Sequence, residues 1–516
     1  MFPRQVFLLA AWVLLPALAA FPAWAAPLKI DPRLAERGKA VYARECSVCH
    51  GPAGKGDGEA AYLLFPAPRD FTSKMFKIRS TPQGEAPQRT DIARTLTLGL
   101  PGSSMPSFAS LGEGDVRALA EYVLSLAGFE NEPAEFVKVP KAPPATPEWL
   151  AKGKAAYAKY ECNKCHGDKG DGKGPSAGEL KDYLKRPIFP NDYTKGVFKG
   201  GGDVQSIITR IMAGVEGTPM PSHAEALEKE EDVIALAHHV RQLSGGRDFR
   251  QTGTGVIPAR KAEGQAPTRA DDPRWDKAQG ARVPMMHLFN DGRAPIVMSV
   301  RALHDGKRIA VLLEWADTTA DRRVRSVNTF ADAAAVQFSL GQKQPPLFTM
   351  GASQDLVNIW FWSAAAAARG SDVEASYPGM AVDDYPLAGR PYPRKEMGHP
   401  PVVASRSTQA PFVSAWAAGN PVSAPGLSRP FMDLNAGGFG TLQPQGPKDQ
   451  NVQGQARWAK GKWRVLFTRT MDAPGKQDAR LLPGSVHPIG FAVWDGARRD
   501  RNGQKSVTTW YKLRIE

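Results

Sequence analysis

The chain has 516 residues, enough for about three globular domains. With 42% hydrophobic and 23% charged residues it has the composition of an ordinary folded protein, which excludes a disordered or fibrous chain. The formal charge of +14 comes from scattered Lys and Arg rather than a basic helix interleaved with aromatics, so nucleic acid is excluded as the expected partner.

Residues 1–25 read as a signal peptide. Arg4 supplies a positive start, Val6 to Ala20 is apolar, and Ala23-Trp24-Ala25 fits the small-x-small cleavage pattern. Cleavage after Ala25 is expected, since cutting one residue later would place Pro27 at the scissile bond; retention as an anchor is the alternative. No later run reaches the ~18 apolar residues of a spanning helix. The expectation is an exported, periplasmic protein.

The chain has four cysteines, in "CSVCH" (46–50) and "CNKCH" (162–166). C-x-x-C-H is the attachment signature of c-type haem. Cys46, Cys49, Cys162 and Cys165 are the expected covalent attachment points, and His50 and His166 the proximal iron ligands. The surroundings repeat too: "RGKAVYARECSVCHGPAGKGDG" matches "KGKAAYAKYECNKCHGDKGDGKG", and "GLPGSSMPSF" matches "GVEGTPMPSH". His50 and Met105 are 55 positions apart, and His166 and Met220 are 54 apart, so Met105 and Met220 are the expected distal ligands. Each unit resembles a small class I cytochrome c, which implies an all-α fold, His-Met ligation and one-electron transfer. His238 and His239 read as surface or packing residues, and His223, close after Met220, as a weak competitor for the same iron.

The expected boundaries are a first cytochrome unit at 28–130, a Pro-rich linker at 131–147, a second unit at 148–247 and a polar linker at 248–274. From 275 to 516 the pattern changes to short apolar runs separated by Gly, Pro and Asp. Asp305-Gly306 lies between two such runs and predicts a hairpin. The reading is an all-β antiparallel sandwich with long loops, the stretch of about 366–455 having little regular structure.

The strings "AAAVQFSL", "FTMGASQDLVNIWFWSA", "GKWRVLFTR" and "IGFAVWDGARRDRNGQKSVTTWYKL" resemble the haem b-binding γ subunits of the type II dimethyl sulfoxide reductase family of molybdoenzymes. That family includes ethylbenzene dehydrogenase, dimethyl sulfide dehydrogenase, selenate and chlorate reductases and nitrite oxidoreductase. The resemblance implies a β-sandwich holding one non-covalent haem b between a methionine and a lysine, here Met350 and Lys505. It also implies partnership with a molybdopterin catalytic subunit and an iron–sulfur subunit. Lys512, His287, His304, His399 and His487 stand as alternative ligands. The usual γ subunit lacks the two cytochrome units, so substrate and partner stay open.

The function expected is a multihaem electron-transfer subunit, with two haems c and one haem b, relaying electrons between a molybdenum oxidoreductase complex and a soluble or membrane-bound cytochrome or oxidase. No catalytic residue is assigned. The alternative is a stand-alone dihaem carrier whose sandwich serves only for docking.

Overall fold

The computed structural model describes residues 26–516 apart from 228, 250–254, 291, 325–328, 342–348, 353–354, 369–428, 439–440 and 474. The expected signal peptide, His399 and much of the stretch 366–455 lie outside the described residues.

The first unit holds helices α1 (Pro32–Glu45), α2 (Ser47–His50), α3 (Arg89–Leu98) and α4 (Glu113–Ala127). The second repeats them as α5 (Pro147–Lys159), α6 (Cys162–His166), α7 (Val204–Ala213) and α8 (Glu230–Leu243). The first helix of each unit begins the same way. Asp31 or Thr146 caps free backbone N–H groups with its side chain, and proline follows at the first helical position, where no donor is needed. The repeated glycine explains how first and last helices cross. A Cβ on Gly38 would sit 2.0 Å from the carbonyl oxygen of Ala118, and one on Gly153 would sit 2.1 Å from that of Ala235. Only glycine permits an approach this close. No helix among the described residues is long and apolar enough to cross a membrane.

Fourteen strands follow among the described residues. They are β1 (Val256–Lys261), β2 (Gly280–Pro284), β3 (Met286–His287), β4 (Val297–His304), β5 (Arg308–Ala316), β6 (Ala333–Ser339) and β7 (Val357–Ser363). Then come β8 (Phe431–Ala436), β9 (Gln443–Pro444), β10 (Gln453–Ala459), β11 (Lys462–Thr470), β12 (Val486–Trp494), β13 (Ser506–Val507) and β14 (Tyr511–Ile515). They run in the order β10-β11-β5-β4-β1-β14-β12-β6-β7-β8-β9, with β2 on β4, and β13 bridging β12 and β3. One core joins Val311, Leu313 and Phe467 from the β5–β11 side to Val336, Trp360 and Phe491 from the β6–β7–β12 side. The sheet therefore folds over on itself as a sandwich, and the predicted hairpin joins β4 to β5.

Three expectations need correction. The sheet is mixed, because β1 pairs in parallel with both β14 and β4. The stretch 248–274 is not simply a linker. It contributes β1 to the middle of the sheet, ahead of the expected domain start at 275, and Pro258 within that strand disguises it, since proline cannot donate to a ladder. The stretch 366–455 also carries regular structure, namely β8, β9 and the start of β10. Strand β8 was hidden by Asp433 and Asn435, which are buried and bonded rather than solvated.

All seven residues of β7 are buried. Trp360 and Trp362 face the sandwich core. On the opposite face Val357, Ile359 and Phe361 join an apolar cluster with Val41, Leu119 and Leu124 of the first helical unit. The outer face of the sheet is thus buried in the apolar cluster that also holds the helices of the first unit, which is why a half-exposed alternation is missing from this strand.

Candidate haem sites

In the first unit, α1 leads straight into Cys46, and the single turn of α2 sets Cys49 and His50 beside it. The hydroxyl of Tyr42 donates to the carbonyl of Gly51 at 2.8 Å, fastening α1 to the end of this turn. The second unit repeats the bond, Tyr157 to Gly167 at 3.0 Å. His50 Nδ1 lies 2.9 Å from the carbonyl of Arg69, and His166 Nδ1 lies 3.1 Å from that of Asn191. A ring held by a carbonyl at Nδ1 carries its proton there and presents Nε2 as a donor to a metal. Burial lowers the His50 pKa to about 4 and that of His166 in the same direction, so both are neutral imidazoles. Burial also holds the thiols of Cys49 and Cys162 protonated, at about 12 and about 11.

The methionine loops are built alike. Leu100 N–H donates to the carbonyl of Met105, and Val215 N–H to that of Met220, both at 3.0 Å. Ser103 and Thr218 accept from the methionine N–H groups at 3.2 Å. In the second unit a cavity of about 370 Å³ is lined by Cys162, Cys165, His166 and Met220 together with Tyr193. The four expected residues thus border one space. The units differ at the proximal face: Phe71 stacks on His50 at 4.5 Å, whereas Tyr193 stacks on His166 at 4.7 Å and brings its hydroxyl to 3.2 Å from Nε2.

The same cavity is lined by Lys77 and Lys199, which sequence reasoning missed. Burial lowers them to about 7 and about 8. The signal was there: D-x-T-x-x-x-F-K occurs at 70–77 and again at 192–199. These amines offer positive charge where an anionic group can sit. Lys77 belongs to the first unit and lines the cavity of the second.

In the β domain, Lys505 Nζ lies 3.5 Å from Met350 Sδ. Met350 has a positive φ of 53°, next to Gly351 at 85°. This pair of left-handed residues turns the chain just before β7. Lys505 is half-buried and precedes β13, and burial lowers its pKa to about 8. Its amine lies over the ring of Trp494 at 5.0 Å. A thioether sulfur and a free amine brought together in this way are a donor pair that could hold a haem iron.

Of the alternatives, His399 lies outside the described residues, and the others are exposed or already bonded. Lys512 is exposed on β14. His304 is buried and bonded to the carbonyl of Glu516 at 2.5 Å, and His487 is bonded to Ser485. His287 is bonded on both ring nitrogens, to Ser506 Oγ and to the carbonyl of Ala294. His238 meets the carbonyl of Pro143, His239 packs on Tyr157, and His223 is bonded to the carbonyl of Pro221.

Paired attachment cysteines, a metal-ready histidine and a methionine loop in each helical unit, with a sandwich behind them, define a multidomain electron-transfer cytochrome. Residues 35–127 and 150–244 match the family model of cytochrome c, and residues 272–506 match that of ethylbenzene dehydrogenase. The chain therefore consists of two cytochrome c domains, which imply haem c, followed by a domain of the ethylbenzene dehydrogenase family. It is 26% identical to the chlorate reductase subunit gamma of Ideonella dechloratans, over 47% of this chain and 77% of that one. It is 24% identical to a putative respiratory nitrate reductase heme subunit of Haloferax mediterranei, over 48% of this chain and 67% of that one. Among solved structures it is similar to a chain of the reducing HAO-like protein complex of Kuenenia stuttgartiensis, at 39% identity over 42% of this chain and 99% of that one, with a TM-score of 0.39.

Proposed function

We propose that this chain is an exported multihaem electron-transfer subunit. It relays electrons between a molybdenum oxidoreductase complex and a respiratory electron carrier through one haem b and two haems c. The observation that carries the reading is the meeting of Met350 and Lys505, 155 positions apart, with the sulfur and amine 3.5 Å from each other. The γ-type relatives support the partnership with a catalytic molybdenum subunit and an iron–sulfur subunit.

Bound haem supplies a one-electron couple at its iron. The chain's own residues decide the rest. Cys46, Cys49, Cys162 and Cys165 hold the two c-type groups covalently. His50 and His166 offer Nε2, each turned by the carbonyl on its Nδ1. Met105 and Met220 would offer a thioether to each iron, and a His-Met pair favours an oxidising poise. Lys77 and Lys199, which line the cavity of the second unit, would balance the carboxylates of a haem held there. Met350 offers a neutral sulfur, and Lys505 ligates as the free amine, a form that its burial favours.

Pyridine haemochrome analysis of the purified protein tests the reading. A c:b ratio of two to one is expected, with molybdenum and iron–sulfur subunits co-purifying from the native host. Absence of b-type haem overturns the relay and leaves a dihaem carrier with a docking sandwich.

A further inference from the structure

Residues 286–288 touch all three candidate haem sites. The carbonyl of Leu288 accepts the hydroxyl of Ser104 at 2.6 Å, and Ser104 immediately precedes Met105. The same carbonyl accepts Phe65 N–H at 3.0 Å, and Phe65 O accepts Asn290 N–H at 2.9 Å, so this edge of the first cytochrome unit is fixed to the strand extension by backbone bonds. On its other side Leu288 N–H donates to the carbonyl of Lys505 at 3.0 Å. One residue therefore links the backbone of Lys505 to the neighbour of Met105 through two hydrogen bonds. The preceding residue, His287, lines the cavity that holds Cys162, Cys165 and His166, and its Nδ1 lies 2.6 Å from the hydroxyl of Ser506, next in the chain after Lys505.

We infer that the segment Met286–Leu288 is the electron junction of the molecule, joining the Met350–Lys505 site to the first cytochrome unit through Leu288 and Ser104, and to the second through Ser506 and His287. The inference rests on the haem b reading above. Electronic coupling decays more slowly along covalent and hydrogen bonds than across gaps: on the first branch Leu288 bonds both the carbonyl of Lys505 and the hydroxyl of Ser104, and on the second Ser506 bonds His287, whose ring lines the cavity of the second unit. In each step one electron passes, one iron is oxidised and the other reduced, and no bond or proton changes place. The lysine–methionine site is thus the branch point, from which both c-type groups are reached.

The test uses the full chain with its haems. Intramolecular transfer is followed after flash reduction, and haem content and midpoint potentials are measured on the same samples. Ser104→Ala is expected to slow one phase of exchange between b- and c-type haem several-fold, and Ser506→Ala the other, with content and potentials unchanged. Ser107→Ala is the control: its hydroxyl bonds the carbonyl of Thr97 at 2.6 Å, inside the first unit and off the route. Wild-type rates in both Ser104→Ala and Ser506→Ala, with every haem bound, overturn the junction. So does equal slowing by Ser104→Ala and Ser107→Ala, which marks general loosening. A wild-type protein without b-type haem is a separate result, seen before any variant is made, and it removes the haem b reading and the junction together.

Discussion

Lys505 Nζ and Met350 Sδ lie 3.5 Å apart although 155 positions separate them in the chain. Two local devices bring them together. Strand β13 pairs with β3 and β12 and fixes the backbone just after Lys505. On the other side the left-handed pair Met350-Gly351 aims the methionine back from the start of β7. Removing either donor should remove b-type haem alone. Lys505→Ala and Met350→Ala are each expected to lose the b-type bands while both c-type groups stay attached, read from pyridine haemochrome spectra. Full b-type content with an unchanged spectrum in both variants would contradict the ligand assignment.

Gly351→Ala should act on the same site without touching a donor. A Cβ there would lie 2.7 Å from the carbonyl oxygen of Asp355 and 2.9 Å from that of Ala436, on a residue with φ of 85°. The strain is worth about 1–3 kcal/mol, and relieving it displaces Met350. The expected outcome is a lower melting temperature and a shifted b-type spectrum, measured by thermal denaturation and visible absorbance.

The two cytochrome units are held together by Glu216, four residues before Met220. Its carboxylate accepts the guanidinium of the fully buried Arg79, Phe76 N–H at 3.1 Å and Gly84 N–H at 2.8 Å, all from the first unit. Glu216→Ala leaves the Arg79 charge buried and unpaired, a loss of about 3–5 kcal/mol. It should also loosen the Met220 loop. The check is denaturation together with the methionine–iron charge-transfer band of the second unit, expected to weaken while that of the first persists.

Behind β7 and β8 a fully buried Arg469 faces Asp433 and Asp478, with Asp478 at 3.1 Å. One cation cannot neutralise two buried carboxylates, and burial raises Asp433 to about 8. A carboxyl whose folded-state pKa exceeds its unfolded value of about 3.9 binds more protons folded than unfolded. Its contribution is complete below that unfolded value and is lost as pH rises through about 8. Asp332 at about 7 and Asp500 at about 6 act in the same sense. The share of these three carboxyls in the stability of the full chain, read by urea unfolding, should therefore fall from pH 5 to pH 8. Asp433→Asn should flatten part of that slope, while Arg469→Met should cost about 3–5 kcal/mol by leaving the carboxylates uncompensated.

The c-type sites were legible because attachment, ligation and turn residues are local and occur twice. The repeat carried further than the cysteines: the D-x-T-x-x-x-F-K echo marks Phe71, Tyr193, Lys77 and Lys199 at the haem walls. Met350 and Lys505 came only through family resemblance, since their pairing depends on register across the whole sandwich. Strand β1 was masked by Pro258 and β8 by Asp433 and Asn435, because a polar residue paired in a core looks in sequence like one in water. The role of His287 and Leu288 was invisible for a different reason. Leu288 acts through its backbone atoms and His287 through the long-range pairing of β3 with β13, neither of which is legible in residue type.

The Arg79–Glu216 contact also changes what the duplication means. Where the first copy has Ile78-Arg79 after its Phe-Lys pair, the second has Gly200-Gly201, and where the second has Glu216 the first has Pro101. The copies are therefore no longer interchangeable beads. Exchanging their order would set two glycines against a proline and leave the arginine and the glutamate on outer faces. The repeat has acquired a polarity, an upstream member and a downstream one, written into the seam between them.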